Sequence, residues 1–113
     1  MLEPRQEVFD AVVDPNRRRI LHFLTAGERP VQELVDRFDL SFSAISQHLK
    51  VLRRAGLVSR RRRGRSQLYS LRPEPLKDLH DWTEIYQSAW REHVGRLRSL
   101  LEEKGRSQGS PDS

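Results

Sequence analysis

At 113 residues the chain can build one modest hydrophobic core but not two, and an apolar content of 35% against 33% charged fits either a small protein with much exposed surface or one that buries a face only by dimerising. It has no cysteine, which excludes disulfides, thiolate metal ligands and cysteine nucleophiles. The net charge of +5 is unevenly placed: residues 41–72 hold nine Lys or Arg and no acid, leaving 12 basic residues against all 16 acidic ones elsewhere, so a polyanion is the partner that segment implies.

No stretch approaches about 18 consecutive apolar residues. The opening Met1-Leu2-Glu3-Pro4-Arg5 has neither the basic cluster nor the apolar run of a secretion signal. The expectation is a cytoplasmic protein with no membrane partner.

From Pro4 a helical pattern places Val8, Phe9, Val12 and Val13 at spacings of three and four up to Asp14-Pro15. Asp14 before Pro15 pairs a helix N-cap with a first-turn proline, and Ile20, Leu21, Phe23 and Leu24 give the second helix its apolar face before Gly27. Pro30 opens a third helix with Val31, Leu34, Val35 and Phe38 inward. After Asp39-Leu40, Ser41 or Ser43 caps a fourth, whose inward positions are Ile45, Leu49 and Leu52 and which closes at Ala55-Gly56. Two short helices with a turn of about four residues between them satisfy the requirement of a helix-turn-helix.

Beyond Gly56 the period falls to two. Residues 57–62 and 67–71 read as strands around the turn Arg63-Gly64-Arg65-Ser66, a β-hairpin that carries arginines to its tip. Pro73 and Pro75 end the strand. Leu76, Leu79, Trp82, Tyr86, Trp90, Val94, Leu97, Leu100 and Leu101 then line one side of a long helix running to about Glu103. Residues 1–104 are thus expected to form one domain with its dimerisation helices, and Gly105 to Ser113, with no large apolar residue, a disordered tail.

With Ile45, Leu49 and Leu52 inward, the outward residues of the fourth helix are Ser43, Ala44, Ser46, Gln47, His48 and Lys50. Such a helix fits the major groove of DNA, where Gln can pair with adenine, Ser with bases or phosphates, and Ala with a thymine methyl. Ser43, Ala44, Gln47 and His48 are the expected base readers, Ser41 and Ser46 bond bases or phosphates, and Lys50, Arg53 and Arg54 meet phosphates. Arg61, Arg62, Arg63 and Arg65 of the hairpin would follow the backbone or enter a narrow minor groove. Each has a plainer reading: the serines as caps, His48 as packing beside the turn, the arginines as guards of an edge strand, Tyr69 as core of the hairpin. Trp82, Tyr86 and Trp90 fit a ligand pocket or, as the plainer reading, packing against the same helix of a second subunit and against Val8, Phe9 and Val12 of the first helix.

Three segments resemble the ArsR/SmtB family of bacterial transcriptional regulators: Asp14-Pro15-Asn16-Arg17-Arg18-Arg19-Ile20-Leu21, the stretch from Ser43 to Val58, and Gly64-Arg65-Ser66-Gln67-Leu68-Tyr69. The resemblance implies a mostly α fold with a small β-hairpin wing, a winged helix-turn-helix dimerised through its N- and C-terminal helices. It implies a homodimer that binds double-stranded operator DNA and represses, with release by an effector. The expected interface residues are Val8, Phe9, Val12, Leu79, Trp82, Tyr86, Trp90, Val94 and Leu97.

The family's metal sites are not expected here. The thiolate type needs cysteines near the stretch Val31-Gln32-Glu33-Leu34-Val35-Asp36, which has none. A second type pairs Asp-x-His with a later His and Glu on the last helix; Asp78-Leu79-His80 matches the first half, but His93 falls two positions late and Glu92 precedes it. The expectation is no metal, Asp78, His80, Glu92 and His93 being the nearest approach to a zinc or nickel site, no cofactor, and at most an unidentified small-molecule effector. Enzymatic chemistry is disfavoured, since no nucleophile and base stand at a motif spacing and no Gly-rich phosphate loop is present. The competing function is a basic nucleic-acid-binding module without a defined operator.

Overall fold

The computed structural model describes residues 3–108, with the side chains of 106–108 left aside. Five helices and three strands follow in the order α1 (Gln6–Val12), α2 (Pro15–Leu24), β1 (Arg29–Pro30), α3 (Val31–Arg37), α4 (Phe42–Arg54), β2 (Val58–Arg63), β3 (Ser66–Leu71) and α5 (Glu74–Gln108). Contacts divide the chain into two units at Trp82 and Thr83, so α5 starts in the first and continues as the second.

The first unit is built on helix ends that the sequence signals locally. Asp14 caps α2, its Oδ1 accepting from the N–H of Asn16 at 2.7 Å and of Arg17 at 3.3 Å. Pro15 at the first helical position has no N–H to leave unsatisfied. Ser41 rather than Ser43 caps α4, accepting from the Ala44 N–H at 3.1 Å. At its other end α4 closes in a Schellman motif: Gly56, at φ +76°, donates to Arg53 O and Leu57 to Leu52 O. Arg5 reaches across from before α1 to donate to the Ala55 carbonyl at 2.9 Å, satisfying a further orphan acceptor of the helix end.

One core follows from these elements. Val8 and Ala11 of α1, Ile20, Leu21 and Leu24 of α2, Leu34 of α3, and Ile45, Leu49 and Leu52 of α4 pack with Leu57, Val58 and Tyr69. Tyr69 is a core residue of the hairpin, as read from the sequence. Phe9 meets Trp82 edge-on, ring centroids 5.0 Å apart, which joins α1 to the start of α5.

Three expectations are corrected and one boundary is added. Val13 does not continue the inward stripe of α1; the helix ends at Val12, the chain turns toward the Asp14 cap, and Val13 is left 69% exposed. A third strand, β1, joins the sheet in the order β1-β3-β2, pairing Arg29 with Tyr69 and Pro30 with Leu68. Two residues are too few to show a period, and Pro30 is tolerated because β1 is an edge strand. α5 begins at Glu74, with Pro75 in its first turn where no intrahelical donor is lost. Its other end runs to Gln108, past the expected stop near Glu103, taking in the first part of the expected tail; residues 109–113 of that tail lie outside the described residues.

The second unit is the α5 helix from Thr83. Ile85, Tyr86, Trp90, Leu97, Leu100 and Leu101 are all exposed on it, Trp90 by 63%. Gln87 donates to Thr83 Oγ1 at 2.9 Å one turn back, and His93 lies beside the Trp90 ring. Among the described residues no helix is long and apolar enough to cross a membrane.

The Asp14 cap gives a test of how the first unit is held. Desolvation raises its pKa, but the N–H groups of Arg17 and Asn16 and the nearby His48 and Arg17 outweigh that and hold it below its ordinary 3.8. A depressed carboxylate stabilises above the unfolded-state value and loses that contribution as pH falls through the folded one. Asp14→Ala should cost about 0.5 to 2 kcal/mol in chemical denaturation at pH 7. The gap to wild type should close below about pH 4; a gap that persists in acid would mean the carboxylate is not what stabilises the helix.

Candidate nucleic-acid interface

The α3–turn–α4 pair, residues 31–54, has the four-residue connection Phe38 to Ser41, and the burial of α4 fixes which side faces out. Ile45, Leu49 and Leu52 are no more than 1% exposed. Ser41, Phe42, Ser43, Gln47, Lys50 and Arg54 are exposed, and Ala44, Ser46, His48 and Arg53 half-buried. All nine α4-region residues read as DNA contacts are therefore off the core, arranged around the helix from its cap to its last turn.

The wing is closed by a two-residue turn, Gly64-Arg65, between the paired residues Arg63 and Ser66. Gly64 sits at φ +61° and Arg65 has no positive φ, the pattern of a type II′ turn, which needs glycine at its first central position. Opposed residues of an antiparallel pair share a face, so the register Arg60–Tyr69, Arg61–Leu68, Arg62–Gln67 splits the arginine run in two. Arg60 and Arg62 lie on the face of Gln67 and Tyr69, whereas Arg61 and Arg63 lie on the opposite one.

The first of these faces continues into α4. Phe42, Ser46, Gln47, Lys50 and Arg53 line one groove of about 410 Å³ with Val31 and with Arg60, Gln67 and Tyr69 of the wing. Phe42, Arg60 and Gln67 were not among the residues singled out from sequence. Arg60 and Gln67 were recoverable from the period-two alternation once the hairpin register is set. Phe42 carries only its position, since an aromatic at the first turn of a helix reads equally well as core; here it is 56% exposed.

Arg61 is different. Its Nε and Nη2 donate to the two carboxylate oxygens of Glu28 at 2.8 and 2.7 Å, a bidentate pair, and Ser70 Oγ donates to the same carboxylate at 3.1 Å. The hydrogen bond from Arg61 is the main reason that the Glu28 pKa lies below its ordinary value, ahead of an opposing desolvation, with Ser70 and the charges of Arg61 and Arg63 adding to it. Glu28 lies 33 residues away in sequence, so the acid-free run 41–72 is not acid-free in space. Arg62 Nε donates to Gly64 O at 3.1 Å and so steadies the turn, while Arg63 and Arg65 are exposed at the tip.

The remaining site residues fall elsewhere. Val8 is in the protomer's own core at 2% exposure, Phe9 and Val12 are half-buried, and Leu79 and Trp82 are half-buried in the first unit. Tyr86, Trp90 and Leu97 are exposed and Val94 half-buried in the second. Of the nearest approach to a metal site, Asp78 and His80 belong to the first unit and Glu92 and His93 to the second. His80 lies 3.5 Å from Asp81, and among the described residues no group of three or more His, Asp or Glu is set to hold a metal ion.

A helix-turn-helix followed by a basic, two-stranded hairpin defines a winged helix-turn-helix DNA-binding protein. Residues 14–60 match the model of the bacterial regulatory protein, arsR family. The chain is 37% identical over 75 residues to the transcriptional repressor SdpR of Bacillus subtilis, covering 66% of this chain and 83% of that one. It is 42% identical over 69 residues to the transcriptional activator HlyU of Vibrio cholerae, covering 61% of this chain and 64% of that one. Among solved structures, a possible transcriptional regulator for arsenical resistance is 39% identical, with a TM-score of 0.67, and covers 84% of this chain and 96% of that one. The chain belongs to the arsR family, and it is a DNA-binding transcriptional regulator rather than an enzyme.

A DNA phosphate at Arg61, the contact expected from sequence, would have to compete with Glu28 for the same guanidinium. Glu28→Gln should therefore tighten binding to any duplex at low salt and steepen the plot of log K against log salt by about 0.9, one further phosphate contact. Fluorescence anisotropy over a salt series measures this, and an unchanged slope would remove Arg61 from the contact set.

Proposed function

We propose that the protein is a homodimeric repressor that binds an inverted-repeat operator, with α4 in the major groove and the wing on the adjacent backbone or minor groove. The observation that carries this reading is the continuity of the exposed face of α4 with the wing through one groove lined by Gln47, Lys50, Arg53, Arg60 and Gln67. Amide and hydroxyl groups suit base edges, and the flanking cations suit phosphates. Ser43, Ala44, Gln47 and His48 read bases; Ser41 and Ser46 bond bases or phosphates; Lys50, Arg53 and Arg54 bind phosphates; Arg61, Arg62, Arg63 and Arg65 track the wing-side backbone. Repression is favoured by the similarity to a repressor over 83% of its length.

Dimerisation is part of the mechanism. Large apolar side chains exposed along α5 call for a covering surface, and the same face of a second copy supplies it under two-fold symmetry. Tyr86, Trp90, Val94 and Leu97 of the second unit are assigned to this interface, and so are Val8, Phe9, Val12, Leu79 and Trp82 of the first. Two recognition helices then meet half-sites about one helical turn apart.

Selection of genomic fragments by the purified protein, at physiological salt with excess competitor, tests the reading. Recovery of an inverted repeat is expected, and recovery of unrelated fragments would favour a non-specific nucleic-acid module instead. On the recovered site Gln47→Ala should lose about 1 to 3 kcal/mol of discrimination between cognate and mismatched sequence. Arg62→Ala should weaken all duplexes alike and flatten the salt slope by about one contact. Trp90→Glu should halve the mass in solution by light scattering; an unchanged mass would remove the α5 interface.

A further inference from the structure

We propose that Arg17 is a positioning residue for the recognition helix, holding His48 as the tautomer that carries its proton on Nε2 and tying α4 to the end of α1. The inference rests on the reading of His48 as a DNA contact. Arg17 stands on the first turn of α2 and is 31 residues from His48 in sequence. Its side chain is only 15% exposed, although nothing in the composition of α2 marks it out from Arg18 and Arg19, both of which are exposed.

The guanidinium uses three nitrogens on three partners. Nε donates to Ala11 O at 2.8 Å and Nη2 to Asp10 O at 2.9 Å, two carbonyls of the last turn of α1 that have no intrahelical partner. Nη1 stands 3.3 Å from His48 Nδ1 and 3.9 Å from an Asp14 carboxylate oxygen. A guanidinium stays protonated and has donors only, so His48 Nδ1 must supply the lone pair. A neutral imidazole that accepts at Nδ1 carries its hydrogen on Nε2. The donor is then the group His48 has left for a ligand.

That assignment has a consequence for reading. A histidine fixed as a donor selects acceptors in the major groove, purine N7, guanine O6, thymine O4 or a phosphate oxygen, and is repelled by the amino groups of adenine and cytosine. These three bonds join the end of α1 to the middle of α4 through one side chain, and the 3.9 Å ion pair adds the Asp14 cap of α2. A shift of α1 is thereby transmitted to the residue that meets DNA.

The test begins on wild-type protein without DNA, so it needs no variant to fold. Long-range nitrogen–proton NMR, read on the neutral ring, should give His48 as the Nε2–H tautomer; an Nδ1–H or mixed tautomer overturns the proposal. Arg17→Met should abolish that preference and lower affinity for the selected operator by roughly tenfold, the loss expected of a hydrogen bond to a charged group. In a His48→Gln background, where an amide donor sits at the Nε2 position without needing Arg17, the same Arg17→Met change should cost about threefold or less, the shortfall being the coupling between the two residues. An equal loss in both backgrounds overturns the positioning role and leaves Arg17 a structural residue. If the tautomer is as assigned but His48→Ala binds the operator as well as wild type, the DNA contact of His48 is what fails, and the donor role with it.

Discussion

The rotation of α4 about its own axis is the constraint on which the interface depends. Ile45, Leu49 and Leu52 are almost wholly buried among α1, α2, α3 and the sheet, and burying each such side chain stabilises by about 1.5 to 3 kcal/mol. Turning the helix by one residue, about 100°, would bring Ser46, Lys50 and Arg53 toward the core and expose the three apolar side chains. Two of those three incoming groups are cations, whose burial without partners costs far more than any DNA contact returns. The exposed face is thus set by packing before DNA is met. The Schellman closure at Gly56 and Leu57 then fixes where the wing leaves the helix, and the sheet register fixes which arginines return toward it.

Charge on the wing is managed rather than merely accumulated. Six residues of β2 include four consecutive arginines, whose mutual repulsion would disfavour an ordered strand without relief. Alternation sends Arg60 and Arg62 to one face and Arg61 and Arg63 to the other. Glu28 then takes Arg61 in a bidentate pair that also engages Ser70. The pair is exposed, so its contribution to stability is small and salt-sensitive. Its larger effect is geometric, since Glu28 precedes β1 and Ser70 lies in β3, and one carboxylate therefore connects all three strands. The free positive charge offered to DNA is accordingly smaller than the composition of residues 41–72 suggests.

What could be read from the sequence and what could not divides along sequence distance. The Asp14-Pro15 start of α2, the Ala55-Gly56 end of α4 and the inward triplet Ile45, Leu49 and Leu52 are local signals, written within a few residues of the structure they cause. The family resemblance was legible for the same reason, because its three segments are contiguous runs. β1 was not, being two residues long and defined only by its partner β3. Nor were the contacts of Glu28 with Arg61 or Arg17 with His48, which lie more than thirty residues apart and look, in sequence, like any other charged side chains. Val13 shows the limit of periodicity at a helix end: the spacing continued but the helix did not. Phe42 shows that an aromatic residue's type does not say whether it is core or surface.

The second unit leaves part of the chain's limited apolar content exposed. Trp90, Leu97, Leu100 and Leu101 are exposed on this helix, and its own ladder of hydrogen bonds does not compensate for their exposure to water. In the proposed dimer this face is covered by its copy, and the energy of association is drawn from residues that take no part in reading DNA. Association and operator binding are then linked equilibria: a site with two half-sites binds two protomers, so occupancy rises with a higher power of protomer concentration than for a monomer. Such a regulator has a threshold set by the strength of its α5 face. Anything that altered that face would move the threshold without touching α4.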